Sequence, residues 1–151
     1  LVLLQDLNFD NCLNDGDLAG LVALVTHPEM AVKLRSLSLE DNELVTSEAW
    51  EKALTDMLTK GPLTSLNLQN NDIGIKGAKV VAKALRVNGS LTTLNLADND
   101  IGKEGGVAIA EALKVNGSLT SLNLYCCGLG PEGGVAISEA LKVNGSLTKL
   151  E

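Results

Sequence analysis

The sequence predicts an α/β solenoid of stacked repeats, with a parallel sheet on its concave face and helices on its convex face. Three observations predict it. Leu63, Leu91, Leu119 and Leu147 each open an L-T-x-L string and lie 28 residues apart, so the chain is read as a repeat before anything else. Residues 88–115 and 116–143 are identical at 20 of 28 positions, and the differences gather where LADND in one copy faces LYCCG in the other. Between the strings, the apolar residues change from alternate spacing to helical spacing.

The strand strings come first. LRSLSLEDNEL begins at Leu34, 29 residues before Leu63, and LQDLNFDNCL begins at Leu4, a further 30 before that. Six strings of the form L-x-x-L-x-L therefore tile the chain. Each is one short strand and a turn, with alternate leucines facing inward and the residues between them facing out.

Helices are expected between the strings. The first unit offers a short one, Leu18 to Val25, closed by THPE, where Pro28 is expected to forbid continuation. In the second, Trp50, Ala53, Leu54, Met57 and Leu58 form the apolar stripe. Later units repeat an i, i+3, i+4, i+7 stripe: Ala78, Val81, Ala82 and Leu85, then Gly106, Ile109, Ala110 and Leu113, then Gly134, Ile137, Ser138 and Leu141. One small strand and one small helix cannot bury their apolar faces alone, so the copies must stack. Strands stack about 4.8 Å apart and helices about 8–10 Å apart. The array must therefore bend with its strands inside.

LTSLNLQNNDIGIKGAKVVAKALRVNGS, residues 63–90, resembles the 28-residue, ribonuclease-inhibitor-like class of leucine-rich repeat. Similar repeats occur in the sensor domains of nucleotide-binding leucine-rich-repeat receptors, in Ran GTPase-activating protein and in tropomodulins. The resemblance covers essentially the whole chain and is most specific from Leu63 onward. It implies a right-handed, horseshoe-like solenoid, and it implies no single function, because this fold hosts many.

Composition fits. Aromatics are 2% and Gly is 15 of 151, as suits a core of uniform Leu, Ile, Val and Ala layers. Residues 1–151 read as a single domain of about five and a half repeats. Trp50 stands where later units have Gly77, Gly105 and Gly133, and reads as a space-filler beside an irregular first unit, which is either a cap or a divergent repeat. The chain begins LVLL without Met and stops inside a strand at LTKLE, whereas solenoids need polar caps. A fragment of a longer array is expected, with terminal-edge self-association where a strand edge lies open.

Cys12 and Cys127 occupy the N/C position of the strand motif, where other units have Asn42, Asn71 and Asn99. A structural role is expected for all five, with the Asn side chains bonding the backbone of neighbouring repeats. The first and fifth strands lie about 19 Å apart at four strand spacings, beyond the roughly 7 Å Cα limit of a disulfide. Free thiols, no hydrophobic leader and no run of 18 apolar residues point to a cytoplasmic or other reducing intracellular compartment and away from a membrane. Asn88, Asn116 and Asn144 stand in Asn-Gly-Ser sequons, which leaves glycosylation open. Each follows a helix and is expected to stop it in the left-handed conformation.

Candidate chemistry fails on spacing. GLGPEG, residues 128–133, fits G-x-G-x-x-G, but the sibling columns read DIGKEG and DIGIKG, so only Gly128 is additional. His27 is the single histidine, about 14 Å in strand steps from Cys126, so nucleophilic catalysis is not expected. DNCLNDGD lacks EF-hand spacing, and neither a metal nor a cofactor is expected. Lys76, Lys79, Lys83 and Arg86 form a basic stripe, but the net charge of −7 argues against nucleic acid. Lateral pairing of Lys83 with Glu111 is the simpler expectation.

The outward strand positions remain. They form three columns: Asp6, Ser36, Ser65, Thr93, Ser121 and Lys149, then Asn8, Ser38, Asn67, Asn95, Asn123 and Glu151, then Asp10, Glu40, Gln69, Ala97 and Tyr125. Asp41, Asn70, Asp98 and Cys126 lie just beyond the third. We expect a non-enzymatic protein-interaction module that binds a partner, with a basic one favoured, through Asp6, Asn8, Asp10, Ser36, Ser38, Glu40, Asp41, Ser65, Asn67, Gln69, Thr93, Asn95, Asp98, Tyr125 and Cys126. Tyr125 is the aromatic anchor of that face. The alternatives are a regulator of a nucleotide-hydrolysing partner, as the resemblance allows, and a purely architectural array.

Overall fold

The computed structural model describes residues 5–13, 17–31, 33–42, 44 and 47–151. Strands β1 (Asp6–Asn8), β2 (Ser36–Ser38), β3 (Ser65–Asn67), β4 (Thr93–Asn95), β5 (Ser121–Asn123) and β6 (Lys149–Leu150) form one parallel sheet in chain order. Parallel neighbours require crossovers. These carry α1 (Leu18–Thr26), α2 (Pro28–Ala31), α3 (Glu48–Lys60), α4 (Gly74–Leu85), α5 (Gly102–Leu113) and α6 (Gly130–Leu141). Leu4, the start of the first string, lies outside the described residues.

Register follows the leucine strings. Asp6, Ser36, Ser65, Thr93, Ser121 and Lys149 pair in one row, and Asn8, Ser38, Asn67, Asn95 and Asn123 in another. Between them Leu37, Leu66, Leu94 and Leu122 are buried, and Leu39, Leu68 and Leu96 form a second buried rung. Each such leucine contributes about 1.5–3 kcal/mol by leaving water. The threonine of L-T-x-L adds its own ladder, since Thr92 Oγ1 donates to Thr64 O at 3.0 Å and Thr120 Oγ1 to Thr92 O at 3.0 Å.

Four expectations need correction. Pro28 does not merely end a helix. His27 is extended and Pro28 opens α2, since Pro is tolerated at a first helical position, where its missing N–H has no partner to lose. The last stripe is only partly buried: Ile137 lies inside, but Gly134 and Ser138 are exposed and Leu141 is 38% exposed, with no helix packed on that side among the described residues. Lys83 does not pair with Glu111, which instead meets Lys114 one turn along α5 at 2.6 Å. The lateral pairs that do form are Lys76 with Glu51 at 2.8 Å and Lys103 with Glu132 at 3.2 Å.

The fourth correction concerns helix ends. Asn88, Asn116 and Asn144 are not left-handed. Helix α4 closes by a tightened last turn, with the N–H groups of Val87 and Asn88 donating to Ala84 O at 3.2 and 3.0 Å. The asparagine side chains reach across to the preceding repeat. Asn88 Nδ2 donates to Leu58 O, Asn116 Nδ2 to Leu85 O at 2.8 Å and Asn144 Nδ2 to Leu113 O at 2.7 Å. Each thus satisfies one of the carbonyls that a helix C-terminus leaves unpaired. Their Oδ1 atoms accept from the next strand's entry, as with Ser118 N and Leu119 N on Asn116 at 3.1 and 2.9 Å. Asn88 and Asn116 are buried, so the nitrogen that would carry a glycan is inside the stack.

Left-handed backbone falls instead at the strand-to-helix turns. Asp72, Asp100 and Gly128 hold the same place with φ of 50°, 44° and 65°, and Gly74, Gly102 and Gly130 follow at 61°, 64° and 60°. The additional glycine of GLGPEG therefore serves a turn that its siblings make with Asp. Gly105 and Gly106 serve another purpose, letting neighbouring helices close up. A methyl on Gly105 would stand 2.9 Å from Ala78 Cβ, and one on Gly106 would stand 2.8 Å from Leu129 Cδ2. Trp50 is buried in α3, whose N-terminus Ser47 caps by accepting from Trp50 N at 3.2 Å.

Candidate interaction surface

The motif asparagines fix the turns beneath this surface. Asn99 Nδ2 donates to Leu68 O, Leu96 O and Ala97 O at 2.7–3.0 Å, while its Oδ1 accepts from Asn71 N and Ile73 N at 3.1 Å. Asn42 bonds similarly, to Phe9 O at 2.8 Å and from Leu13 N at 2.8 Å. Asn71 donates to Leu39 O at 2.7 Å, but its buried Oδ1 has no partner. Cys127 is the thiol version: buried, it donates to Leu96 O at 3.0 Å, and burial pushes its pKa up to about 11. Cys12 is exposed and Cys126 is exposed, and all three cysteines are free.

Above these turns the outward residues are already bonded to one another. Asn8, Asn67, Asn95 and Asn123 each accept, through Oδ1, the N–H two residues on, at 2.9, 3.1, 3.1 and 2.8 Å. Side-chain amides in the same row reach sideways: Asn67 Nδ2 to Ser38 Oγ at 3.1 Å and to Glu40 Oε2 at 2.9 Å, and Asn95 Nδ2 to Gln69 Oε1 at 2.9 Å. Gln69 reaches Asp98 at 3.4 Å. The Asn column thus fixes strand ends as well as lining the sheet. Ala97, in the third column, is buried.

Asp10 is the most engaged carboxylate. Burial by itself raises its pKa, but the Ser38 hydroxyl at 2.6 Å, the Glu40 N–H at 2.8 Å and the Asn8 amide at 2.9 Å outweigh that and hold it below the ordinary value. Asp41 accepts from Asn70 Nδ2 at 2.6 Å. Asn11, Asp41, Asn70, Asp98 and Cys126 all have φ between 49° and 55°, a conformation in which Asn and Asp are enriched. Their residue types therefore answer to the turn first.

Asp6, Ser36, Ser65 and Thr93 form the first row of this band, and at the far end Tyr125 stands 64% exposed beside Cys126. The neighbouring Cys126 thiol and the Asp98 charge raise the Tyr125 pKa. An open polar hollow of about 400 Å³ lies beside the band, lined by Asn11, Asp41, Asn42, Asn70, Asn71 and Asp72. Asn11 and Asp72 carry no sequence signal for it, because their places beside it arise from the coil of the chain between repeats. Charge is uneven along the array. Residues 1–61 hold 11 acidic and 4 basic side chains, a formal −7, and residues 62–151 hold 8 of each.

Comparison with known proteins agrees with this geometry. The Leucine Rich repeat family model matches residues 62–82, 87–110 and 115–138. A structure titled as actin-binding site 2 of leiomodin-1 is 26% identical, covers 91% of this chain and 79% of its own, and superposes with a TM-score of 0.72. The tropomodulin C-terminal domain of Caenorhabditis elegans, at 19% identity, covers 93% of this chain and 84% of its own with a TM-score of 0.68, a likeness of fold. A search of curated proteins returns no significant match.

Proposed function

We propose that this leucine-rich-repeat protein is a non-enzymatic interaction module that binds a protein partner on the concave sheet. The observation that carries the reading is Tyr125, an aromatic side chain 64% exposed at the end of a polar, mutually hydrogen-bonded sheet. A large apolar ring held on a rigid surface offers contact area at low entropic cost, which is what an interface anchor requires. The bonded Asn and Gln row lowers that cost further, since side chains already fixed lose little freedom on binding. The acidic first two units favour a basic segment of the partner near Glu40 and Asp41.

The leiomodin-1 structure, whose title names an actin-binding site, supports the class of activity and makes actin the first partner to test. The test uses Tyr125→Ala and the double variant Glu40→Gln with Asp41→Asn. Both keep the shape of the sheet, and Asn suits the left-handed position 41. Tyr125→Ala is expected to weaken a captured partner by about 2 kcal/mol or more. The double variant is expected to lower the association rate and its salt dependence. Partner binding unchanged by both variants, in protein with an unchanged unfolding midpoint, rules out the concave face.

A further inference from the structure

The polar hollow beside the concave band has acceptors to spare and few donors. Asn11, Asp41, Asn42, Asn70, Asn71 and Asp72 line its volume of about 400 Å³. The amide groups of three of them are turned elsewhere. Asn42 Nδ2 donates to Phe9 O, Leu39 O and Glu40 O, Asn71 Nδ2 to Leu39 O and Gln69 O, and Asn70 Nδ2 to one oxygen of Asp41 at 2.6 Å. Among the described residues, nothing bonds the second oxygen of Asp41 or the exposed carboxylate of Asp72.

A buried acceptor joins them. In the next turn, Asn99 Oδ1 accepts from Asn71 N and Ile73 N, both at 3.1 Å. The same places one unit earlier belong to Asn42 N and Leu44 N, but Leu44 N turns instead to Asn42 O at 2.8 Å. Asn71 is 1% exposed, and its Oδ1 is left aimed at this turn, against the wall of the hollow, with no partner. A buried acceptor without a donor is unfavourable. Its partial negative charge adds to that of two carboxylates from different repeats, in a stretch, residues 1–61, of formal charge −7.

We propose that this hollow receives the guanidinium of an arginine from the partner's basic segment, an inference that rests on the reading of the concave band as a protein-binding face. A guanidinium carries five N–H donors in one plane and no acceptor, which matches a lining whose spare acceptors lie in several directions. A lysine ammonium presents three donors at a single point and matches it less well. A bare calcium ion needs about six to eight oxygens within roughly 2.3–2.6 Å. Among the described residues, no three acidic, His or Cys side chains are grouped to hold a metal ion.

The probe is N-acetyl-arginine amide, titrated into the full chain and followed by amide NMR. Saturable shifts are expected at the Asn42 and Asn71 side-chain amides and at Asp72 N–H, with a Kd of about 1–10 mM. N-acetyl-lysine amide is expected to bind at least about threefold more weakly. Asp72→Asn, a residue type that suits the φ of 50° there, is expected to weaken the arginine probe about fivefold or more at an unchanged unfolding midpoint. No saturation up to about 100 mM probe, equal binding of the two probes, or equal binding by wild type and Asp72→Asn overturns the proposal. So does displacement of the arginine probe by calcium at equal concentration, since the occupant is then an ion. The two readings fail separately. Partner capture weakened by Tyr125→Ala but untouched by Asp72→Asn removes the arginine site and leaves the concave face standing. A bound arginine probe, with partner capture unmoved by Tyr125→Ala and by Glu40→Gln with Asp41→Asn, removes the concave face and leaves the arginine site.

Discussion

Asn116 shows how one residue type can hold a solenoid. Its amide gives hydrogen to Leu85 O and Asn88 O at 2.8 and 3.2 Å, and its carbonyl takes hydrogen from Ser118 N and Leu119 N. A buried group so placed costs more to remove than its own bonds contribute, because its partners are then left unsatisfied. Asn116→Ala is expected to lower stability by about 2–4 kcal/mol in urea titration. Asn144→Ala is expected to cost about half as much, because Asn144 is only half-buried and water can replace it. Equal losses at the two positions contradict this account. The sequons were legible in the sequence, but their purpose was not, since a helix stop and a cap across repeats look alike on one strand of text.

Helices α5 and α6 are nearly the same sequence in different surroundings. Gly105 faces Ala78 Cβ and Ile101 Cβ at 2.9 and 3.0 Å, while Gly134 faces open space. Gly105→Ala is expected to destabilise by about 1–3 kcal/mol through overpacking, less the gain of up to about 1 kcal/mol that Ala brings to a helix interior. Gly134→Ala keeps that gain and is expected to raise stability by about 0.5–1 kcal/mol. Thermal unfolding of the two variants checks the opposite signs. If both destabilise, the packing argument fails. The helical stripes themselves were readable from spacing, because a 3.6-residue period is local. Ion pairing was not: Glu111 turned to Lys114 three residues away, since an intrahelical reach is shorter than the gap between helices.

At the scale of the molecule, stability is a sum over units and their interfaces. The last repeats are regular and capped by Asn116 and Asn144. The early ones are less regular, spaced 30 and 29 residues apart, and although Asn88 caps α3 at Leu58 O, Asn71 Oδ1 is left unpartnered in their ladder. Trp50, the single tryptophan, sits among these early units in α3 and reports on them. Its emission is expected to shift at a lower urea concentration than the far-UV circular dichroism, which averages over all units. Coincident transitions show instead that the array unfolds as one cooperative unit.

The sequence by itself determined the repeat, the strand register and the three outward columns, because alternation along a strand and a fixed 28-residue period leave little freedom. It also determined that the second and third glycines of GLGPEG belong to the repeat, since sibling columns could be compared. Tertiary structure decided the rest. Only stacking shows that the Asn row is bonded sideways, that Ala97 is buried in a column otherwise outward, and that Tyr125 stands exposed. It likewise separates Gly106, closed by Leu129, from Gly134, open to solvent, though the two lie in identical sequence. The physical reason is that a repeat specifies its own geometry locally, whereas what each face touches depends on the neighbour beside it.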